Sequence, residues 1–281
     1  MPVTVVIGAQ WGDEGKGRFV DLLSGEAQVV ARYAGGDNAG HTVNVGETVY
    51  KLHLLPSGIL RENTVGLMGN GMVINPVSLW NEITRLREMG VRIEPDNLII
   101  SSRAHVITPA HIEQDRAREQ ARGKDAIGTT LKGIGPAYLD KVGRRGIRTE
   151  QWLDVEQFGT SMQAGIARAN TELRETGLPE VDPETAILPW LDAAEKLKPF
   201  LKDTTIYLYE QLQAGARIVC EGAQGALLDI DHGSYPFVTG SSPTVGGALT
   251  GLGIGPTSID RVLGIAKAFN TRVGAGPMPT E

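Results

Sequence analysis

"VTVVIGAQWGDEGKGRFVDLL" occupies residues 3–23 and decides the fold class. Its first five residues are all β-branched, which is typical of a buried strand. A glycine-rich turn follows, and residues 19–23 have the spacing of a helix. A strand, a glycine turn and a helix in that order indicate an α/β protein with a mainly parallel sheet. In such sheets ligands bind beyond the carboxyl ends of the strands, where this turn would lie.

The glycine turn predicts an anion site, because backbone N–H groups at a helix N-terminus attract phosphate and Lys16 adds a positive charge. It is not a Walker A motif, since position 10 is Gln and position 17 is Gly, and it has no G-x-G-x-x-G pattern. Asp13 and Glu14 are unexpected beside phosphate. The alternative is a tight strand–helix turn with solvated charges.

The rest of the chain continues the pattern of strands and helices. We predict a helix that begins at Asn75-Pro76 and ends near Gly90, because Asn is a good N-cap and Pro suits the first helical position. Further strands are predicted within 28–33, 64–71, 97–100 and 217–244, a hairpin at 42–54, a polar helix at 109–122, a long loop at 123–148, a mainly helical region at 152–215 and a strand pair at 261–277.

These elements predict one domain over residues 1–281: a mainly parallel central sheet with helices on both faces, similar to P-loop NTPases, and a helical insertion at about 150–215. The net charge of −6 argues against a general nucleic-acid binder. Cys220 is the one cysteine, so no internal disulfide forms, and we expect a cytoplasmic protein. The start of the chain resembles no signal peptide, and no stretch reaches the roughly 20 apolar residues of a membrane helix.

Several polar motifs are ambiguous one at a time. His41, between glycines in "GGDNAGHT" (35–42), could be a general acid or base or a loop residue bonded to backbone. "GTT" (128–130) with nearby basic residues could bind a phosphomonoester or form a solvated basic loop; those residues are Lys132, Lys141, Arg144 and Arg145. Gln224 in "EGAQG" and Thr239 in "YPFVTGSS" are weak signals alone.

The remaining histidines and the cysteine have simpler interpretations. His53, His105 and His111 are interpreted as structural, whereas His232 in "DIDHGSY" stays open. No His/Cys spacing typical of a metal cluster occurs, and Cys220 lies in an apolar run that suits the core.

Eight stretches together resemble, in order and spacing, the adenylosuccinate synthetase family, and the resemblance runs from residue 3 to the last residue. They are "QWGDEGKG", "NAGHT", "LPSGIL", "GNGMVI", "IGTT", "KGIGPAYLDKV", "EGAQGALLDIDHGSYPFVT" and "TRVGAGPMPTE". The resemblance implies an enzyme of AMP biosynthesis that uses GTP to join IMP and L-aspartate, giving adenylosuccinate, GDP and phosphate through 6-phosphoryl-IMP. It also implies Mg²⁺ dependence and a homodimer.

The resemblance also implies a role for individual positions. Asp13 would be the general base and His41 the general acid, with Lys16 and Gln224 as further catalytic residues. Asp13 and the Gly40 carbonyl would bind Mg²⁺. The GTP phosphates would be held by Gly12, Asp13, Glu14, Gly15, Lys16, Gly17, Arg18, Gly40, His41 and Thr42. IMP would be held by Asp13, Asn38, Ala39, Gly40, His41, Thr130, Gln224 and Thr239, with Arg144 reaching the IMP phosphate of the partner subunit.

The chain departs from the family in three places. Lys132 replaces the usual Arg, which keeps the charge but loses the bidentate fork. "VTGSSPT" (238–244) replaces a more usual stretch that contains Ser-Ser-Asn. Family members continue well beyond "GAGPMPTE" with an arginine-rich aspartate loop and a guanine-recognition element, so we expect little ligase activity from residues 1–281 alone. A phage branch with Ser at the position of Asp13 makes a 2-aminoadenine analogue, so Asp13 favours IMP over dGMP.

Three alternatives accompany this hypothesis. The first is a truncated protein that binds IMP or another nucleotide without ligase activity. The second is a GTPase switch, which the absence of a Walker A motif disfavours. The third is a NAD-binding oxidoreductase, which the absence of G-x-G-x-x-G disfavours.

Overall fold

A computed structural model describes residues 3–38, 40–272 and 274–278. Its centre is a seven-stranded sheet in which every neighbouring pair of strands is parallel. With strands numbered along the chain, the spatial order is β11 (Ile259–Ile265), β1 (Val3–Gly8), β10 (Ile218–Glu221), β2 (Val29–Arg32), β5 (Val65–Met68), β7 (Leu98–Ser101) and β9 (Leu201–Lys202). The predicted parallel α/β class is confirmed.

Helices cover both faces of this sheet. They are α1 (Lys16–Ser24), α2 (Pro76–Glu88), α3 (Pro109–Arg122), α4 (Ile134–Val142), α5 (Val155–Glu175), α6 (Leu188–Leu197), α7 (Thr204–Gln213) and α8 (Val245–Leu252). Successive strand residues point to opposite faces. Ile99 therefore packs in the cluster that contains α7 and α8, whereas Leu98 and Ile100 pack with α2, α5 and α6. Val20 of α1 packs with three valines of neighbouring strands.

The α2 helix begins as the sequence predicts. The side chain of Asn75 accepts hydrogen bonds from the backbone N–H groups of Val77 at 3.0 Å and Ser78 at 3.2 Å. Leu79, Ile83 and Leu86 are buried on one face, as their spacing indicates. The predicted helix is confirmed.

Two small sheets flank the main one. The predicted hairpin pairs β3 (His41–Val45) with β4 (Thr48–Leu52), and Gly46 turns the chain with a left-handed φ of 59°. The strands β6 (Val73–Ile74) and β8 (His105–Val106) form a short parallel pair. The hairpin begins at His41, so the candidate acid lies at the base of a two-stranded arm.

Two predictions about local structure are wrong. Residues 123–148 are not one long loop, because α4 lies within them and buries Ile134, Ala137 and Tyr138 at helical spacing. Glycines flank this short helix, so the helical spacing of its apolar residues was not recognised in the sequence. Residues 261–277 do not form a strand pair: β11 is a single strand, and no second strand follows in the described residues up to 278. Gly274 and Gly276 instead turn this segment with φ values of 88° and 117°.

The predicted helical region at 152–215 is more varied than expected. α5 and α6 pack against α3 and α2, away from the sheet centre, whereas β9 hydrogen-bonds to β7 and α7 packs on the sheet. Within the described ranges no helix is both long and apolar enough to cross a bilayer.

Candidate functional site

A cavity of about 690 Å³ opens at the carboxyl edge of the main sheet. The loops that follow β1, β10 and β2 form much of its wall, and these three strands are neighbours in the sheet. Parallel strands bring their carboxyl ends to one edge, so loops that are far apart in sequence meet there. The volume lies within the range of small-molecule sites, which is roughly 300–1,000 Å³.

We use the name phosphate loop for residues 8–18, which are the loop between β1 and α1 with the last residue of β1 and the first turn of α1. Several of its residues have a left-handed backbone. Gly12, Asp13 and Gly15 have φ values of 88°, 57° and 82°, and Gly15 is the N-cap of α1. Lys16, Gly17 and Arg18 in the first turn of α1 line the cavity. The free N–H groups and the positive end of the helix dipole therefore face it, an arrangement suited to phosphate.

The structure explains Glu14, one of the two unexpected acids in this loop. Its carboxylate is buried and accepts hydrogen bonds from the backbone N–H groups of Gly12 at 2.8 Å and Gln10 at 3.1 Å. The same carboxylate forms an ion pair with the Lys16 ammonium at 2.6 Å. Glu14 does not line the cavity but holds the loop together from within. A Cβ on Gly8 would lie 2.3 Å from a Glu14 carboxylate oxygen and 2.7 Å from the Gln224 carbonyl oxygen, so glycine at position 8 leaves room for both.

Asp13 is placed quite differently. It is exposed, lines the cavity, and its carboxylate accepts no hydrogen bond from the described part of the chain. An L-residue in the left-handed region is strained, and such residues cluster at functional sites. Asp13 therefore offers the cavity a carboxylate whose lone pairs are open.

His41 lies beside the first turn of α1, where a Cβ on Gly17 would be 3.0 Å from its ring, and it belongs to a polar network. Its Nε2 is 2.8 Å from the Ser57 hydroxyl and 3.4 Å from a carboxylate oxygen of Glu221. The other Glu221 oxygen accepts the Ser57 backbone N–H at 2.8 Å. Burial lowers the pKa of His41 below its usual value, and the Glu221 charge opposes that shift. The ring is thereby held next to a carboxylate that stabilises its protonated form.

Gln224, on the loop after β10, is a buried amide without partners. Both its side-chain oxygen and its nitrogen are buried and form no hydrogen bond to the described residues. Its backbone is left-handed, with φ at 58°. Gly35 packs so closely that a Cβ there would lie 3.1 Å from the Gln224 amide oxygen. A buried amide that lines a cavity and lacks partners is a group suited to bind a polar ligand.

Thr129 belongs to the same side of the cavity. Its hydroxyl is buried and without a partner among the described residues, and Thr130 lines the cavity beside it. The basic residues predicted to join them do not all do so. Lys141 donates to the Asn70 carbonyl and Arg145 pairs with Asp140, so the proposed phosphomonoester cluster of four cations is not assembled.

Most of the sequence-predicted site residues nevertheless meet at this cavity. Those that line it are Gly12, Asp13, Gly15, Lys16, Gly17, Arg18, Asn38, Gly40, His41, Thr42, Thr130, Gln224 and Thr239. Ala39 lies outside the described residues. Arg144 follows the end of α4, is exposed and lies away from the cavity.

Sequence reasoning missed several residues of the cavity wall. Trp11, Arg32, Glu221, Phe237 and Arg272 all line it. Arg32 and Glu221 occupy paired positions at the ends of β2 and β10. A charged residue at the end of a buried strand was the sequence signal that could have identified them as cavity residues. Two predictions about side chains are confirmed: Cys220 is buried in the core, and burial raises the pKa of its thiol to about 12. His111 is structural, capping α3 and pairing with Asp140 at 3.3 Å.

The fold and the cavity define a class: parallel α/β proteins with an anion-binding glycine loop at the strand ends. Comparison with known proteins narrows that class, since residues 5–281 match the family model for adenylosuccinate synthetase. The adenylosuccinate synthetase of Clostridium perfringens is 48% identical over 281 residues, which are 100% of this chain and 66% of the relative. That of Myxococcus xanthus is 50% identical over 287 residues, with the same coverage.

A solved structure gives the same result. The fully ligated adenylosuccinate synthetase from Plasmodium falciparum superposes with a TM-score of 0.91 at 38% identity, over 99% of this chain and 64% of that chain. The chain belongs to the adenylosuccinate synthetase family. It spans 66% of the length of the curated relatives it matches.

Proposed function

We propose that this protein acts in AMP biosynthesis as a ligase that joins IMP and L-aspartate at the expense of GTP. One observation carries the proposal: the unpartnered Gln224 amide and the phosphate loop line one cavity, and the backbone of Gln224 packs against Gly12. An amide offers both a hydrogen-bond donor and an acceptor, which can bind polar atoms of a purine base. The cavity therefore offers a base-binding side and a phosphate-binding side.

The reaction begins with activation of IMP. Asp13 takes the N1 proton, and O6 attacks the γ-phosphorus of GTP, so that the bond to the β-phosphate oxygen breaks and GDP leaves. The amine of L-aspartate then attacks C6, loses a proton, and expels O6 as inorganic phosphate. Free Asp is a weak base with a pKa near 3.9, so charge that develops on O6 and the γ-phosphate must be stabilised in the same step.

His41 and Lys16 supply that stabilisation. His41 shares its Nε2 between Ser57 and Glu221, so a protonated ring can be held there while it donates toward the transferring phosphoryl group. Lys16 begins α1 and lines the cavity, and the Glu14 carboxylate holds its ammonium at 2.6 Å. Phosphoryl transfer depends mainly on such positioning and charge stabilisation.

We propose Mg²⁺ as the cofactor. The residues fit it: the Asp13 carboxylate has open lone pairs, and Gly40, which offers a backbone carbonyl, lines the same cavity. Three or more His, Cys, Asp or Glu side chains do not converge anywhere in the described ranges, but Mg²⁺ commonly uses one carboxylate and completes its shell with phosphate and water. When bound, it would neutralise charge on the GTP phosphates.

We propose that the IMP phosphate is bound across a homodimer. Asn38, Thr130 and Thr239 face the cavity, whereas Arg144 extends from the end of α4 into solvent. Leu139 and Val142 on the same helix are 52% and 79% exposed. An exposed apolar helix that ends in an arginine suits an interface between two copies, with Arg144 completing the partner's site.

The test is a pair of assays on a protein in which these 281 residues are extended to the length of the curated relatives. We expect IMP-dependent GDP release and adenylosuccinate formation, and we expect Asp13→Ala to bind IMP but lose turnover by about three orders of magnitude or more. Near-normal turnover would exclude Asp13 as the base. GTP hydrolysis that does not need IMP would favour a GTPase switch instead. For residues 1–281 by themselves we expect IMP binding with little adenylosuccinate formation.

A further inference from the structure

Arg272 connects three walls of the cavity, although it lies far along the chain from all of them. It follows β11 and lines the cavity together with Trp11 of the phosphate loop and Phe237 of the segment 234–239, which we call the acceptor loop. Its guanidinium carbon is 5.9 Å from the centre of the Trp11 ring and 5.8 Å from that of Phe237. Both distances are typical of cation–π contacts.

The hydrogen bonds of Arg272 fix the guanidinium in this position. Its terminal nitrogens donate to the Phe237 carbonyl at 2.7 Å and to the Ser234 hydroxyl at 2.9 Å. It also donates to the carbonyls of Ala275 at 2.9 Å and Pro277 at 3.3 Å. The same Ser234 hydroxyl accepts the Trp11 indole N–H at 3.2 Å. One hydroxyl and one guanidinium thus bind both loops at once.

Neighbouring contacts extend this connection in both directions. Lys267, five residues earlier, donates to the Gly12 carbonyl at 3.1 Å, and Gln10 bonds to both the N–H and the carbonyl of Lys267. On the other side, Ala275 donates to the Ile127 carbonyl at 3.1 Å, next to the unpartnered Thr129. Lys267, Arg272 and Ala275 therefore contact the phosphate loop, the acceptor loop and the loop at residues 127–130, in that order.

We propose that Arg272 is a positioning residue that couples the phosphate loop to the acceptor loop. Binding of phosphate in the phosphate loop then strengthens binding of a ligand beside the acceptor loop. This inference rests on the proposed function, because it takes IMP as the acceptor ligand. Trp11 directly precedes Gly12 and Asp13, so a phosphate bound to this loop holds in place the ring on which Arg272 stacks. Packed side chains that share one arrangement carry such coupling between sites.

The coupling must be reciprocal, because it is a free energy shared by two binding events. It also depends on the guanidinium itself. A lysine ammonium in its place keeps the charge but cannot stack as a plane between two rings while it donates to several carbonyls. Substitution by Lys should therefore remove the coupling, whatever it does to overall stability.

The experiment measures the dissociation constant of IMP by calorimetry on residues 1–281, with and without inorganic tripolyphosphate and Mg²⁺. Tripolyphosphate fills the phosphate loop without needing guanine recognition. In the wild type we expect it to tighten IMP binding by about fivefold or more. In Arg272→Lys we expect a change smaller than about twofold. Arg261→Lys, an exposed arginine on the same strand–loop segment, is the matched control and should behave as the wild type.

A second variant guards against misfolding. Phe237→Leu removes one ring of the stack but leaves the carbonyl that Arg272 binds, and it should also reduce the coupling. Undiminished coupling in a folded Arg272→Lys or Phe237→Leu protein would overturn the inference. So would a wild type that binds IMP but is indifferent to tripolyphosphate, and this result would leave the proposed function standing. Absence of IMP binding to the wild type would overturn both.

Discussion

The phosphate loop and the acceptor side of the cavity satisfy their polar groups in opposite ways. In the phosphate loop the Glu14 carboxylate pairs two backbone N–H groups and the Lys16 ammonium within the loop itself. On the acceptor side, Gln224 and Thr129 keep buried polar atoms without partners in the described residues. The polar groups of the first region are paired within the protein, whereas those of the second are available to a ligand.

The difference has an energetic meaning. A buried polar atom left without a partner costs about 1–3 kcal/mol, and a ligand that supplies the missing partner removes this cost. Pairing within the phosphate loop avoids this cost and fixes the geometry in advance. We propose that a matching base, when it binds, supplies partners to the unpaired groups on the acceptor side and so removes their cost.

Replacing Glu14 should destabilise the phosphate loop. Glu14→Gln leaves the buried Lys16 ammonium without its charge partner, and breaking a buried pair in this way costs about 3 kcal/mol. Urea unfolding measures the loss. Glu26→Gln is the control, because Glu26 pairs with Arg217 in solvent and should change stability by less than about 0.5 kcal/mol. Equal effects of the two variants would mean that Glu14 does not hold the loop.

His105 tests whether every unpartnered buried atom belongs to the site. Its Nδ1 is buried without a partner, yet it lies away from the cavity. Burial, aided by Lys141 and Arg148, lowers its pKa to about 4. The unfolded chain binds this proton near pH 6.5 and the folded chain only near pH 4, so stability is present above pH 6.5 and falls as the pH drops through that window.

The expected loss for His105 is about 2 kcal/mol between pH 7.5 and pH 5. His105→Asn should flatten this part of the pH dependence, whereas His232→Asn, at an exposed position, should leave it unchanged. Unfolding at a series of pH values checks both. IMP binding should not change in either variant, which separates a structural histidine from the unpartnered groups of the acceptor side.

The smallest expected effect on stability is at Gln224. Asn tolerates a left-handed backbone, so Gln224→Asn keeps the turn but withdraws the amide from the cavity. Because the wild-type amide has no protein partner to lose, the free energy of unfolding should change by less than about 0.5 kcal/mol. A loss of about 2 kcal/mol would show that Gln224 serves the fold and would remove the contrast between the two regions.

Much of this architecture could be predicted from local sequence. β-branched runs located β1 and β2, and Asn75-Pro76 located the start of α2, because strands, caps and turns depend on neighbouring residues. The helix α4 was missed because it is short and lies between glycines. The role of Glu14 was missed because its partners include backbone N–H groups, and the residue types in a sequence do not show which backbone groups a side chain binds.

The walls of the cavity were the hardest part to predict. Motifs brought Asp13, His41 and Gln224 into one hypothesis, and the structure places them around one cavity. The stack of Trp11, Arg272 and Phe237 joins residues from three distant parts of the chain. No periodicity or spacing connects such residues, because their contact depends on how the parallel strands are ordered in the sheet.

The central claim is that the unpartnered Gln224 amide is the group that binds the acceptor base. Calorimetric titration of IMP into residues 1–281 tests it most directly, with Gln224→Asn as the variant and Gln213→Asn, at an exposed position on α7, as the control. We predict 1:1 binding to the wild type and the control, and about tenfold weaker binding to Gln224→Asn, equivalent to about 1.4 kcal/mol. Equal affinity for all three proteins, or no IMP binding at all, would contradict the account.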